Sequence, residues 1–219
     1  MKNILILLLL IFCINEGFSQ KYSEHYYKRT TLFKGSVDTE NEIIFLGNSI
    51  TEGGDWKLLF PNYNTINRGI SGDVTQGVLD RLEEIVSSKP IKVFLAIGTN
   101  DLARGESVMH IVTNCRLILK KILKDSENTK IYLQSVFPVN PDVGNKFSGH
   151  KNKIKEILEV NRQLIFLAQE FGVTYINLHK KFKNHKGLLK PKYTYDGLHL
   201  SPKGYLKWRN SIKKQMIAE

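Results

Sequence analysis

Short runs of consecutive apolar, partly β-branched residues recur along the chain, and stretches with helical spacing separate them. Ile43-Ile44-Phe45-Leu46, which ends at Gly47, is continuously apolar, as a strand buried on both faces requires. Ile91 to Ile97, Lys130 to Val136 and Val173 to Leu178 read as further strands, and Tyr63 to Asn67 as a less apolar one. Between them, the residues up to Phe60 hold one or two helical turns before Pro61. Val74, Gly77, Val78, Leu82, Ile85 and Val86 fall on one face of a helix over residues 73 to 86. Val108 to Leu123 and Lys153 to Phe171 carry the same period, the second closed by Gly172. A last helix starts at Ser201, an N-cap residue, with Pro202 in the first turn.

Strands that alternate with helices of ten to twenty residues predict βαβ crossovers and a parallel sheet covered on both faces. The expected fold is α/β, a three-layer α/β/α sandwich on a five-stranded parallel sheet. Residues 20 to 40 are polar and tyrosine-rich without clear periodicity, and read as an arm that packs on the domain or stays mobile. No repeat or low-complexity linker interrupts residues 41 to 219, so these form one domain, in keeping with the chain's 219 residues.

The first 19 residues form a separate unit. Lys2, the apolar run Ile4 to Phe12 and the small residues of Gly17-Phe18-Ser19 have the layout of a secretory signal peptide. The run is short for a membrane span, and Phe12 before Cys13 stands where a lipobox needs a small residue. An exported chain, periplasmic or secreted and without stable membrane insertion after cleavage, is expected. Cleavage after Ser19 leaves Cys115 as the single cysteine. No intramolecular disulfide can then form, and the helical context of Cys115 reads as a small buried residue.

The net charge of +11 is unevenly placed. Residues 146 to 219 hold 16 Lys and Arg against five Asp and Glu, while residues 20 to 145 hold 15 of each. The surplus could attract an acidic ligand, but its lysines are dispersed as on a solvated surface. With no nucleic-acid module in an exported chain, nucleic acid is not an expected partner.

Candidate chemistry sits where the apolar runs end. Ser49 follows the first strand and a glycine, where a turn into a helix would expose its hydroxyl. Acyl transfer by serine needs a base and a group that orients it; Asp196 and His199, three apart before the last helix, can supply both. Gly72 can offer a backbone N–H at close approach and Asn100 an amide NH2 to an oxyanion, with the N–H of Ser49 as a third donor. Singly, each has an ordinary role as a cap, turn or solvated residue. His25, His110, His150, His179 and His185 have no comparable local carboxylate, and none forms a metal-ligand set with nearby His or Cys.

Taken in order, Gly47-Asn48-Ser49-Ile50-Thr51, Gly69 to Asp73, Gly98-Thr99-Asn100-Asp101 and Asp196-Gly197-Leu198-His199-Leu200-Ser201 resemble the sequence blocks of the SGNH hydrolases, also called GDSL-type esterases and lipases. The resemblance implies a flavodoxin-like sheet, Ser49 as nucleophile, Asp196 and His199 as its partners, Gly72 and Asn100 as oxyanion donors, and no cofactor or metal. One block departs from the pattern, with Asn48 where the family usually has Asp; the acceptor is kept and the charge is lost. Asn67 to Asp73 and Gly98 to Leu102 look most like the branch with platelet-activating-factor acetylhydrolase-like and exported bacterial carbohydrate esterases.

The expected activity is therefore hydrolysis of short-chain esters, acetyl above all, on sugars or glycans. A lysophospholipase or thioesterase would use the same set, and a non-catalytic glycan-binding scaffold would need only part of it. Residues 137 to 150 leave the fourth strand toward the same sheet edge and are candidates to line a substrate pocket, or to form a plain loop.

Overall fold

A computed structural model describes residues 20–218; the expected signal peptide lies outside the described residues. In chain order the elements are α1 (Glu24–Lys34), β1 (Ile43–Gly47), α2 (Ser49–Glu52), α3 (Trp56–Leu59), β2 (Thr65–Gly69), α4 (Thr75–Asp80) and α5 (Glu83–Val86). Then follow β3 (Lys92–Ala96), α6 (Thr99–Ala103), α7 (Val108–Asp125), β4 (Lys130–Gln134), α8 (Ser148–Lys151), α9 (Ile154–Glu170), β5 (Thr174–Ile176), α10 (Leu178–Phe182) and α11 (Pro202–Ile217).

The five strands form one sheet in the order β2-β1-β3-β4-β5, and every pairing is parallel. This is the doubly wound order whose strand order reverses between β1 and β3, the place where such sheets leave a crevice at their carboxyl ends. Every residue of β1 and β3 is buried, which is why Ile43 to Leu46 and Val93 to Ala96 read as unbroken apolar runs.

In-register Phe45, Phe94 and Tyr132 line one sheet face. Phe45 stacks on Trp56 of α3 at 3.7 Å between ring centroids, and Trp56 meets Trp208 of α11 edge-on at 4.9 Å. Ile44, Leu46, Val93 and Leu95 point the other way and join the buried Ile111, Cys115, Ile118 and Ile122 of α7 in the same core. Cys115 is fully buried, and desolvation pushes its thiol up. Lys92, at the start of β3, reaches the carbonyls of Gln215, Met216 and Ala218 at 3.1, 2.8 and 2.7 Å. Its ammonium caps the end of α11, where the last carbonyls lack helix partners.

Besides the short helices α6, α8 and α10, which the sequence reading did not include, and slightly trimmed ends of β3 and β4, four elements differ from that reading. The stretch before residue 41 forms α1, which buries Tyr26, Thr30 and Phe33, with Tyr26 and Phe33 packed beside Ile70. The helix read over residues 73 to 86 divides into α4 and α5 around Arg81. Arg81 turns inward there, with Nε and Nη2 at 3.0 and 2.9 Å from Asp73 Oδ2 and Nη2 at 2.8 Å from the Arg68 carbonyl. β2 is shifted toward Gly69. β5 ends at Ile176 because Asn177 caps α10, accepting the Lys180 N–H at 2.8 Å.

Candidate active site

Ser49 is the first residue of α2, directly beyond β1. Asn48 is the N-cap: it is buried, and its Oδ1 accepts the Ile50 N–H at 3.0 Å. The role needs only an uncharged acceptor, so Asn48 fills the position as Asp would. At N1 of a helix, the Ser49 N–H has no intrahelical acceptor and is open to an incoming oxygen.

His199 comes from the loop before α11. Its Nε2 lies 3.0 Å from Ser49 Oγ and its Nδ1 2.7 Å from Asp196 Oδ2. Asp196 Oδ1 accepts the N–H groups of Leu198 at 2.9 Å and His199 at 2.7 Å. Burial alone would raise the Asp196 carboxyl; the bonds from the His199 ring and from these two backbone groups outweigh it and hold the carboxyl below its ordinary value. Gly197 makes the turn possible: its φ is +87°, and a Cβ there would stand 2.2 Å from the Asn140 carbonyl. Thr194 ties the loop base, donating to the His199 carbonyl at 2.7 Å and accepting the Gly197 N–H at 2.9 Å.

Gly72 follows β2. The Asp73 N–H bonds to the Ile70 carbonyl at 3.0 Å, and Gly72 sits third in that turn at φ +80°. A positive φ at this place is what a type II turn demands, and the turn leaves the Gly72 N–H unused. The Gly72 carbonyl accepts Nη2 of exposed Arg104 at 2.7 Å. Asn100 lies on α6, just beyond β3, and is buried; its Nδ2 donates to the Asp73 carbonyl at 2.8 Å. The loop after β2 and the helix after β3 are thus bonded to each other at the carboxyl edge of the sheet, and β1, which leads to Ser49, lies between those two strands.

The structure therefore brings together Ser49, His199 and Asp196 in one hydrogen-bonded chain and sets Gly72 and Asn100 in contact through Asp73. Two further residues lie in the candidate lining segment 137 to 150 but carry no sequence signal of their own. His150 of α8 places Nε2 at 2.9 Å from Asn100 Oδ1. Phe147 packs edge-on against both His150 and His199, with centroids 5.8 and 5.0 Å away. The loop from residue 137 to 150 thus reaches the site at its far end, as the sequence reading allowed. Of the other histidines, His25 of α1 meets Glu52 of α2 at 3.0 Å. Among the described residues no group of three or more His, Cys, Asp and Glu is placed to hold a metal ion.

A parallel sheet with a Ser-His-Asp chain at its carboxyl edge places the protein among the α/β ester hydrolases. The chain belongs to the GDSL-like lipase/acylhydrolase family, which matches residues 45–207, and is a carboxylic ester hydrolase. It is 26% identical over 178 residues to the human platelet-activating factor acetylhydrolase IB subunit alpha1, covering 78% of this chain and 73% of that one. A solved structure from Streptococcus pneumonia that carries the platelet-activating-factor designation is 30% identical, with a TM-score of 0.79 over 87% of this chain and 90% of that one. An acetyl xylan esterase structure shares the fold at a TM-score of 0.67 and 22% identity, over 80% of this chain and all of that one at 100%. Among the described residues no helix is long and apolar enough to cross a membrane.

Proposed function

We propose that the protein is an exported serine esterase that removes short acyl groups, acetyl above all, from sugars or glycans. The observation that carries this reading is the unbroken hydrogen-bond chain from Ser49 Oγ through His199 to Asp196. Ser49 Oγ attacks the ester carbonyl carbon while His199 Nε2 takes its proton, and Asp196 holds Nδ1–H and steadies the imidazolium. The Ser49 N–H, the Gly72 N–H and the second Nδ2 hydrogen of Asn100 receive the oxyanion. Collapse of the intermediate breaks the bond to the alkoxy oxygen, which leaves as the alcohol with the proton from Nε2. Water, deprotonated by His199, then attacks acyl-Ser49, and the acid departs as Ser49 regains its proton.

Short acyl groups suit the crowding beside Asn100, where His150 and Phe147 stand. Similarity to platelet-activating factor acetylhydrolase subunits favours acetyl in particular. The basic last third favours an acidic glycan, and the pattern of residues 1 to 19 favours export.

A lipid-like alcohol is the second reading, favoured by a groove of about 520 Å³ lined by Leu58, Leu59, Tyr195, Leu200, Pro202 and Leu206 among others. Tyr195 joins it to the site, its ring stacked on His199 at 6.1 Å. Hydrolysis of acetylated sugars, a nitrophenyl ester series from acetyl to octanoyl and acetylated lysolipids, by wild type and Ser49→Ala, tests both. The first reading predicts turnover that falls beyond short acyl chains and is greatest on acetylated sugars; preference for lysolipids would replace it by the second.

A further inference from the structure

The amide of Asn100 can lie in its pocket either way round, and only one way serves an oxyanion. The Asp73 carbonyl is purely an acceptor, so the atom 2.8 Å from it is the NH2 group. That choice puts Oδ1 toward His150, whose Nε2 at 2.9 Å must then carry a hydrogen. With Oδ1 held by His150 and one Nδ2 hydrogen held by Asp73, the remaining Nδ2 hydrogen is left for substrate.

His150 is itself fixed. Lys151, the next residue, is buried, and its Nζ donates to the carbonyls of Val143 at 3.0 Å and Gly144 at 2.6 Å, pinning α8 to the loop before it. Phe147 caps α8 at φ +62°, a left-handed conformation that a bulky residue adopts only when its surroundings impose it. The charged groups that act on His150 are His199, Arg104 and Asp196. Burial first, then His199 and Arg104, push the imidazole below its ordinary value against the opposing pull of Asp196. His150 is therefore neutral at neutral pH, with its single ring N–H committed to Asn100.

We propose that His150 is a positioning residue of the ester hydrolase, donating Nε2–H to Asn100 Oδ1 so that the Asn100 amide is held with its free hydrogen toward the oxyanion. The inference rests on the reading of Asn100 as an oxyanion donor. His150 exchanges no proton with substrate; it removes from the ground state the amide rotations that would cost the transition state a donor.

A double-mutant cycle with nitrophenyl acetate tests this, using wild type, His150→Ala, Asn100→Ala and the double variant, with thermal unfolding as the check on folding. His150→Ala is expected to lower kcat about tenfold with KM within about twofold, and Asn100→Ala to lower kcat about a hundredfold. In the Asn100→Ala background, His150→Ala is expected to change kcat by less than about twofold, because the group it acts through is gone. His150→Gln, whose NH2 can donate to Oδ1, should recover most of the loss, and in the same comparison it serves where His150→Ala does not fold. Equal losses from His150→Ala in both backgrounds, or a change in KM alone, overturn the inference while leaving Asn100 in place. An unchanged kcat in Asn100→Ala overturns the reading of Asn100 and this inference with it.

Discussion

His199 Nδ1 lies 2.7 Å from Asp196 Oδ2, while the other oxygen of the same carboxylate accepts two backbone N–H groups of the turn that joins them. One side chain thus shapes the turn and fixes the tautomer of the base. In Asp196→Asn, Oδ1 can keep the backbone bonds, but an NH2 group then faces Nδ1 and forces the ring hydrogen onto Nε2, where Ser49 needs an acceptor. The expected result is a kcat lower by roughly 10³- to 10⁴-fold, with the unfolding temperature lowered only by what the ionised carboxylate contributes. Steady-state kinetics and calorimetry on the two proteins check it.

The same turn depends on Gly197. A methyl group there would meet the Asn140 carbonyl at 2.2 Å, on a backbone at φ +87°. Gly197→Ala is expected to cost about 1–3 kcal/mol through backbone strain and to lower kcat by displacing His199. Denaturant unfolding and kinetics on the same preparation read both effects.

Phe147 should limit the acyl chain. Its ring stands edge-on to His199 and His150 at 5.0 and 5.8 Å, so Phe147→Ala opens space beside the nucleophile. The variant is expected to raise the butyryl-to-acetyl ratio of kcat/KM about tenfold, roughly what one or two methylenes are worth in an apolar pocket. An unchanged ratio would place the chain-length limit elsewhere.

Acid stability follows from a residue outside the site. His179 of α10 is buried, and desolvation lowers its imidazole from 6.5 to about 4. Between these values the unfolded chain binds the proton and the fold does not, so its contribution is complete above about pH 6.5 and declines toward pH 4. Unfolding temperature should fall across that window, and His179→Gln should flatten the fall. Asp196 has the same sign for a different reason: its carboxyl is held below the ordinary value, so its contribution is lost as pH falls through the carboxylate range.

Where burial is uniform the sequence is easiest to read. β1 and β3 are buried along their whole length, so their apolar runs mark both the strands and the loops that follow, including Ser49 and Asn100. The candidate site residues were legible as a set, since singly each has an ordinary role and only their four blocks in order resemble a known family. α1 was not: its buried stripe of Tyr26, Thr30 and Phe33 is narrow and part polar, and it is held by contacts with Ile70 and the Gly77 carbonyl that lie far along the chain. The division between α4 and α5 was hidden because Arg81 is an ordinary helix residue until Asp73 and the Arg68 carbonyl draw it inward. His150 left no local trace, because its partner Asn100 is fifty residues away.

Everything proposed for the site depends on Ser49 being the nucleophile that His199 activates. The most direct measurement is the intact mass of wild type, Ser49→Ala and His199→Ala after exposure to a fluorophosphonate, with the modified peptide sequenced. One adduct per wild-type chain is expected, located on Ser49, with no adduct on Ser49→Ala and labelling of His199→Ala slowed by at least roughly a hundredfold. A folded wild type that hydrolyses acetyl esters without acquiring the adduct, or a Ser49→Ala protein that acquires it at the wild-type rate, would contradict it.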